Sequence, residues 1–135
     1  MPTMTAAQKR ARAKLEYDAF LDTCPSRKLL DRISDKWVCL CLASLEDGPR
    51  RYSEISRQLA GVSQKMLTQT LRHLEEDGLV ERTVTAAVPV RVDYALTPLG
   101  VSLEETIKEI KRWAEAHMDE VDQARARYAR VTAAG

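Results

Sequence analysis

The chain has 135 residues, 44% of them hydrophobic, with 21 basic and 20 acidic side chains and a formal net charge of +1. That length suits a single domain whose core needs neither metal nor disulfide staples. No apolar run approaches the roughly 20 residues of a membrane span.

The opening stretch MPTMTAAQKRARAKLEYD has basic residues but no apolar segment behind them, unlike a secretory signal, so a cytoplasmic location is expected. Cys24, Cys39 and Cys41 fit a reducing compartment better than a disulfide framework. The near-zero charge sum says little about nucleic acid, because distribution matters more. Between 48 and 73, Arg50, Arg51, Arg57, Lys65 and Arg72 face Glu54 alone, a locally basic stretch on a nearly neutral protein.

In chain order, residues 5–21 are Ala-rich and read as a helix with Leu15, Ala19 and Phe20 or Leu21 toward one side. Pro25 suits the first position of a second helix, running through Ile33, because its missing N–H needs no partner there. Asp35 can cap a third helix, 36 to about 45, with Trp37, Leu40 and Leu45 among its apolar positions. Asp47-Gly48-Pro49 stops it. Ser53 is expected to cap a short helix to about Leu59, with a turn at Ala60-Gly61-Val62. Ser63 then caps a helix ending at Gly78, in which Leu67, Leu71 and Leu74 form a buried stripe.

Residues 79–85 and 91–96 alternate and are β-branched around Val88-Pro89, the pattern of a hairpin. Thr97-Pro98 starts the last helix, where Leu103, Ile107, Ile110, Ala114, His117, Val121, Ala124 and Tyr128 recur at steps of three and four. The fold expected is mainly α with a small β-hairpin. It is a winged helix-turn-helix domain at 24–98, between an N-terminal helical arm at 1–23 and a long C-terminal helix and tail at 99–135. The last stripe outruns what so small a core can cover, and its heptad-like spacing favours a second copy of the chain as partner. A two-fold dimer also suits a reader of paired half-sites.

These residues are similar to the HxlR family of bacterial winged-helix transcription regulators. The resemblance runs from Cys24 to about Leu103 through Cys24-Pro25, Asp35-Lys36-Trp37 and Gly48-Pro49-Arg50-Arg51-Tyr52-Ser53-Glu54-Ile55. It continues through Ser63-Gln64-Lys65-Met66-Leu67, Leu74-Glu75-Glu76-Asp77-Gly78-Leu79-Val80-Glu81-Arg82 and Val92-Asp93-Tyr94-Ala95-Leu96-Thr97 with Gly100. It implies a homodimer held by the first and last helices, binding palindromic promoter DNA as repressor or activator. The family often has two prolines in the wing where this chain has Pro89-Val90, and 85–87 carry no basic residue, so the wing is expected to touch DNA through little more than Arg91.

With the leucine stripe inward, Gln64, Lys65, Thr68, Gln69 and Arg72 fall on the opposite side of the second helix of the pair. Gln and Arg can read adenine and guanine edges, and Lys65 and Thr68 suit phosphates or bases. The helix N-terminus with Ser63 offers N–H groups to a phosphate, and Arg50 and Arg51 are candidate backbone contacts. Leu15, Phe20, Leu103, Ile107, Ile110, Trp113, His117 and Val121 are the candidate dimer interface. The space between the dimer helices could admit an aromatic effector.

Cys24 would sit at the cap of the second helix, where the dipole favours a thiolate, with Arg27 and Lys28 a turn away. The resemblance implies a sensor of oxidants or small electrophiles there; the plainer alternative is a small structural cap. Cys39 and Cys41 lie two apart on a helix, pointing about 200° from one another, which suits small apolar packing and not one shared metal ion. No metal or cofactor is expected. His73 reads as an exposed spectator, while Trp37, Trp113, Tyr94 and Tyr128 read as core and interface. A protein-interaction module would usually present an acidic or apolar face, unlike this one. An enzyme would need a catalytic constellation that the chain lacks.

Overall fold

Local capping sets where each helix begins. The computed structural model describes residues 3–134; Met1, Pro2 and Gly135, included in the expected arm and tail, lie outside the described residues. Thr5 and Gln8 exchange side-chain-to-backbone hydrogen bonds (3.1 and 2.9 Å) and open α1, Ala6–Thr23. Pro25 leads α2, Pro25–Ile33, with Cys24 at the cap. Asp35 accepts from the Trp37 amide at 2.8 Å and starts α3, Lys36–Ser44. Each case satisfies or removes an amide that the first helical turn cannot pair.

Arg50–Arg51 forms a short strand, β1, which the sequence reading did not include. The next helix, α4, is Tyr52–Gln58. It starts earlier than expected: the cap position is Arg51, whose amide donates to the Glu54 carboxylate at 3.2 Å, and Ser53 lies within the helix. After a turn with Gly61 at φ +90°, Ser63 accepts from the Met66 amide at 3.1 Å and opens α5, Gln64–Glu76. Gly78, at φ +73°, ends it: its amide donates to the Glu75 carbonyl (3.1 Å), and the Leu79 amide donates to that of Leu74 (2.9 Å). That closure needs a left-handed residue, which glycine supplies at least cost.

Strands β2, Val80–Thr85, and β3, Arg91–Leu96, form the hairpin, paired from Val80 opposite Leu96 to Thr85 opposite Arg91. β1 joins the other side of β3, Arg50 opposite Tyr94, so the antiparallel sheet has the order β1-β3-β2. The final helix, α6, runs Pro98–Ala134, so the described chain has no separate tail.

The core lies between α3, α4 and α5. Val38, Cys41, Leu42 and Leu45 meet Ile55, Leu59, Leu67, Leu71 and Leu74, and Leu79 and Val80 close the sheet side. Each fully buried leucine contributes about 1.5–3 kcal/mol through apolar burial. Leu40, expected among the apolar positions of α3, is 44% exposed; the inward face is Val38, Cys41, Leu42 and Leu45, with Trp37 partly buried against it. Thr97 ties α6 down: its amide donates to the Leu79 carbonyl (3.1 Å) and its hydroxyl to the Gly78 carbonyl (2.6 Å). Beyond the first turns, α6 projects. At 37 residues it is about 55 Å long, and only its early part, with Leu103 and Ile107, packs on the core. No residue of α1 is buried, and Leu15 and Phe20, on the apolar side expected for it, stay largely exposed among the described residues. No helix of the described residues is long and apolar enough to cross a membrane.

Candidate nucleic-acid interface

Helix α5 is two-faced by construction. Leu67, Thr70, Leu71 and Leu74 are buried, and Gln64, Lys65, Thr68, Gln69 and Arg72 line one shallow outward concavity. The sequence periodicity placed these five together, and the structure brings them together. Arg72 lies 3.7 Å from Glu76, both side chains largely exposed. Such a pair contributes little and is easily exchanged for another anion. At the N-terminus, Ser63 uses an oxygen lone pair on the Met66 amide, which leaves its hydroxyl proton free to donate outward.

The flanking arginines separate. Arg50 turns inward: Nε donates to the Ser44 carbonyl at 2.6 Å, closing the end of α3, and Nη1 lies 3.8 Å from Glu54. This guanidinium is committed within the domain, a bond that no pattern in the sequence announced. Arg51 remains exposed. On the wing, Arg91 is held by Asp93 at 2.9 Å. The loop between β2 and β3, with a cis Val88–Pro89 bond, presents Val88 and Val90 to solvent, and Val84 near the end of β2 is half exposed.

Tyr52 was not singled out for function by sequence beyond its place in a motif. Its hydroxyl donates to the Gln64 carbonyl at 3.1 Å and lies 3.2 Å from Thr68 Oγ1. It therefore pins α4 to the outward side of α5. An aromatic residue heading the first helix was the only available signal.

Cys24 is half-buried and its side chain makes no capping hydrogen bond. Arg27, expected to support it, lies 3.8 Å from Asp22 and 3.9 Å from Asp31, so part of its charge is already countered. Cys41 is fully buried, and burial pushes its thiol up to about 12, with Asp35 adding to the effect. Burial, then Glu104 and Asp35, also raises Cys39. Both thiols are thereby held protonated at neutral pH.

The residues expected at a dimer interface divide. Leu103 and Ile107 pack partly against the core of their own chain. Leu15, Phe20, Ile110 and Trp113 are more than half exposed, at 70%, 63%, 57% and 54%. Val121 is half-buried. His117 stacks on Trp113 at 4.7 Å and its Nδ1 donates to the Trp113 carbonyl at 2.9 Å, stiffening one turn of the projecting helix.

A helix–turn–helix of α4 and α5 backed by a three-stranded wing, with a polar outer helix face, defines a winged helix-turn-helix regulator. The family model described as HxlR-like helix-turn-helix matches residues 32–122, and the chain belongs to that family. It is similar to the HTH-type transcriptional regulator YtfH of Escherichia coli (strain K12), 40% identical over 106 residues that cover 78% of this chain and 84% of that protein. Among solved structures it is similar to the transcriptional regulator ytfH from Salmonella typhimurium, with TM-score 0.70, 38% identity, and 79% and 96% of the two chains covered. It is also similar to the redox regulator HypR in its reduced form, with TM-score 0.71, 37% identity, and 74% and 99% covered. The protein is a transcriptional regulator of the helix-turn-helix type.

Proposed function

We propose that this regulator binds double-stranded promoter DNA as a homodimer, laying one α5 from each copy into successive major grooves of a palindromic site. The observation that carries the reading is the division of α5 into a leucine face locked in the core and an outward face of Gln64, Lys65, Thr68, Gln69 and Arg72. Gln69 and Arg72 have the bidentate chemistry for adenine and guanine edges. Ser63 and the α5 N-terminus, with Arg51 and Lys65, serve phosphates. Arg91 is a weaker contributor because it must leave Asp93 first. The second copy is supported by α1 and the distal part of α6, where Leu15, Phe20, Ile110, Trp113 and Tyr128 are more than half exposed. A pair of reading helices on a two-fold site would need to stand about 34–36 Å apart, one turn of DNA.

The test is binding to fragments of the promoter region next to this gene, measured over a range of salt. Affinity is expected to fall steeply with salt as neutralised phosphates release counterions. Arg72→Ala or Gln69→Ala is expected to cost roughly 1–3 kcal/mol and relax preference at one base step per half-site. Equal affinity of the wild type and the double variant would refute the assigned face.

A second reading concerns the signal. Cys24 is half-buried, lacks a side-chain hydrogen bond and heads a helix, and the chain is similar to the redox regulator HypR. These support oxidation or modification of Cys24 by a small electrophile as the switch. An aromatic effector bound between the dimer helices is the alternative.

A further inference from the structure

The phenol of Tyr52 sits at the seam between α4 and the outward face of α5. Its hydroxyl donates to the Gln64 carbonyl oxygen at 3.1 Å and lies 3.2 Å from Thr68 Oγ1. A phenol carries one proton, and a carbonyl oxygen can only accept. With that proton given to Gln64, the phenolic oxygen meets Thr68 as an acceptor, so the Thr68 hydroxyl must donate to it. Thr68 is then left without a proton for anything outside. It faces solvent beside Gln64, Lys65, Gln69 and Arg72 with oxygen lone pairs and a methyl group.

We infer that Tyr52 is a specificity-determining positioning residue: by accepting the hydrogen bond from the Thr68 hydroxyl it leaves Thr68 only acceptor lone pairs outward, and so decides which base edge Thr68 tolerates. The inference rests on the reading that α5 enters the major groove. There the amino groups of adenine and cytosine donate, whereas guanine N7 and O6 and thymine O4 accept. An acceptor-only Thr68 pairs with the first pair of bases and is repelled by the second. It is equally unable to donate to a phosphate. The residue type alone leaves Thr68 free to do either, and a neighbour sixteen residues back in the chain removes the choice.

The test sequences duplexes enriched from a randomised library by the full chain as wild type, Tyr52→Phe and Thr68→Val. Tyr52→Phe keeps the ring and removes only the hydroxyl; thermal unfolding checks that each variant is folded. The wild type is expected to favour adenine or cytosine over guanine or thymine by about three- to tenfold at one position per half-site. Tyr52→Phe should flatten that position and no other, because the released hydroxyl can turn and donate. Thr68→Val should alter the same position. The inference is overturned if Tyr52→Phe matches the wild-type profile, or if its loss spreads evenly over all positions, as for a merely structural support. A wild-type preference for guanine or thymine at the position altered by Thr68→Val overturns it too. Failure of the wild type to enrich any sequence overturns the DNA reading and this inference together.

Discussion

Replacing Gly100 with alanine tests the seam between the first turn of α6 and the segment that follows α5. The first turn of α6 lies so close to the end of α5 that a Cβ at Gly100 would stand 2.0 Å from the Leu79 carbonyl oxygen and 3.0 Å from its carbon. Leu96 Cδ2 would be 3.3 Å away. A side chain could rotate aside, but a backbone carbonyl cannot, so α6 must lift by roughly an ångström to regain ordinary contact. That movement strains the two Thr97 bonds to Gly78 and Leu79, at 2.6 and 3.1 Å. Overpacking costs about 1–3 kcal/mol and each weakened hydrogen bond about 0.5–1.5 kcal/mol. Alanine's better helix propensity returns about 1 kcal/mol at most. The expected net loss of about 1–5 kcal/mol is a sizeable part of the typical total of about 5–15 kcal/mol. Urea unfolding followed by helical signal should show a lower midpoint with an unchanged slope. Gly61→Ala is the control, since its Cβ would meet open space and only φ +90° opposes it; that strain is worth about 1 kcal/mol. A Gly100→Ala protein as stable as the wild type would show that the close approach at Leu79 does not hold the seam.

Two further outcomes follow from buried or capping groups. Glu104 is 4% exposed and its Oε2 has no hydrogen-bond partner. Burial and then Glu46 push its carboxyl up, against the opposing pull of Lys108 and Lys111. A folded-state value above the unfolded one means that the ionised form weakens the fold, and that stability rises as pH falls through the raised value. Glu104→Gln should therefore be more stable than the wild type at neutral pH, on the order of 1 kcal/mol, with the gap closing in acid; no gain at neutral pH would disprove the penalty. Cys24→Ser should leave DNA binding by the reduced protein intact and abolish any response to diamide or a quinone, read by mobility shift, and a response that survives would exclude Cys24 as the sensor.

Which features were legible in the sequence follows from how local their causes are. Asp35 and Ser63 cap their helices because a short acceptor stands two or three residues before the amide it serves. Gly78 stops α5 through its own backbone freedom. The α5 stripe was readable because polar residues separate its leucines. In contrast, α3 reads KWVCLCLAS, nearly apolar all round, so periodicity could not tell that Leu40 points outward. A two-residue strand such as β1 has no period to detect, and its partner β3 lies some forty residues on. Glu54, not Ser53, serves the start of α4, and either residue was chemically suitable. The inward turn of Arg50 and the Tyr52–Thr68 contact depend on tertiary approach, which no local pattern encodes.

Those tertiary contacts change the electrostatics of the proposed reading face. Counted from sequence, the stretch from 48 to 73 carries five basic residues against one acidic residue. Arg50 is committed to Ser44 and Glu54, and Arg72 is shared with Glu76. Arg51, Arg57 and Lys65 are left as the exposed cations of that stretch whose charge is most readily offered. On the proposed reading, phosphate contact then rests on this local basic patch and not on the chain's sum of +1, which says little by itself. Affinity on this reading then combines these phosphate contacts, which carry the expected salt dependence, with the amide-rich face, both doubled across two copies. That is why the exposed apolar sides of α1 and α6 bear on the proposed role of α5: on this reading a single copy would offer few phosphate and base contacts, and a dimer formed through those sides would double them.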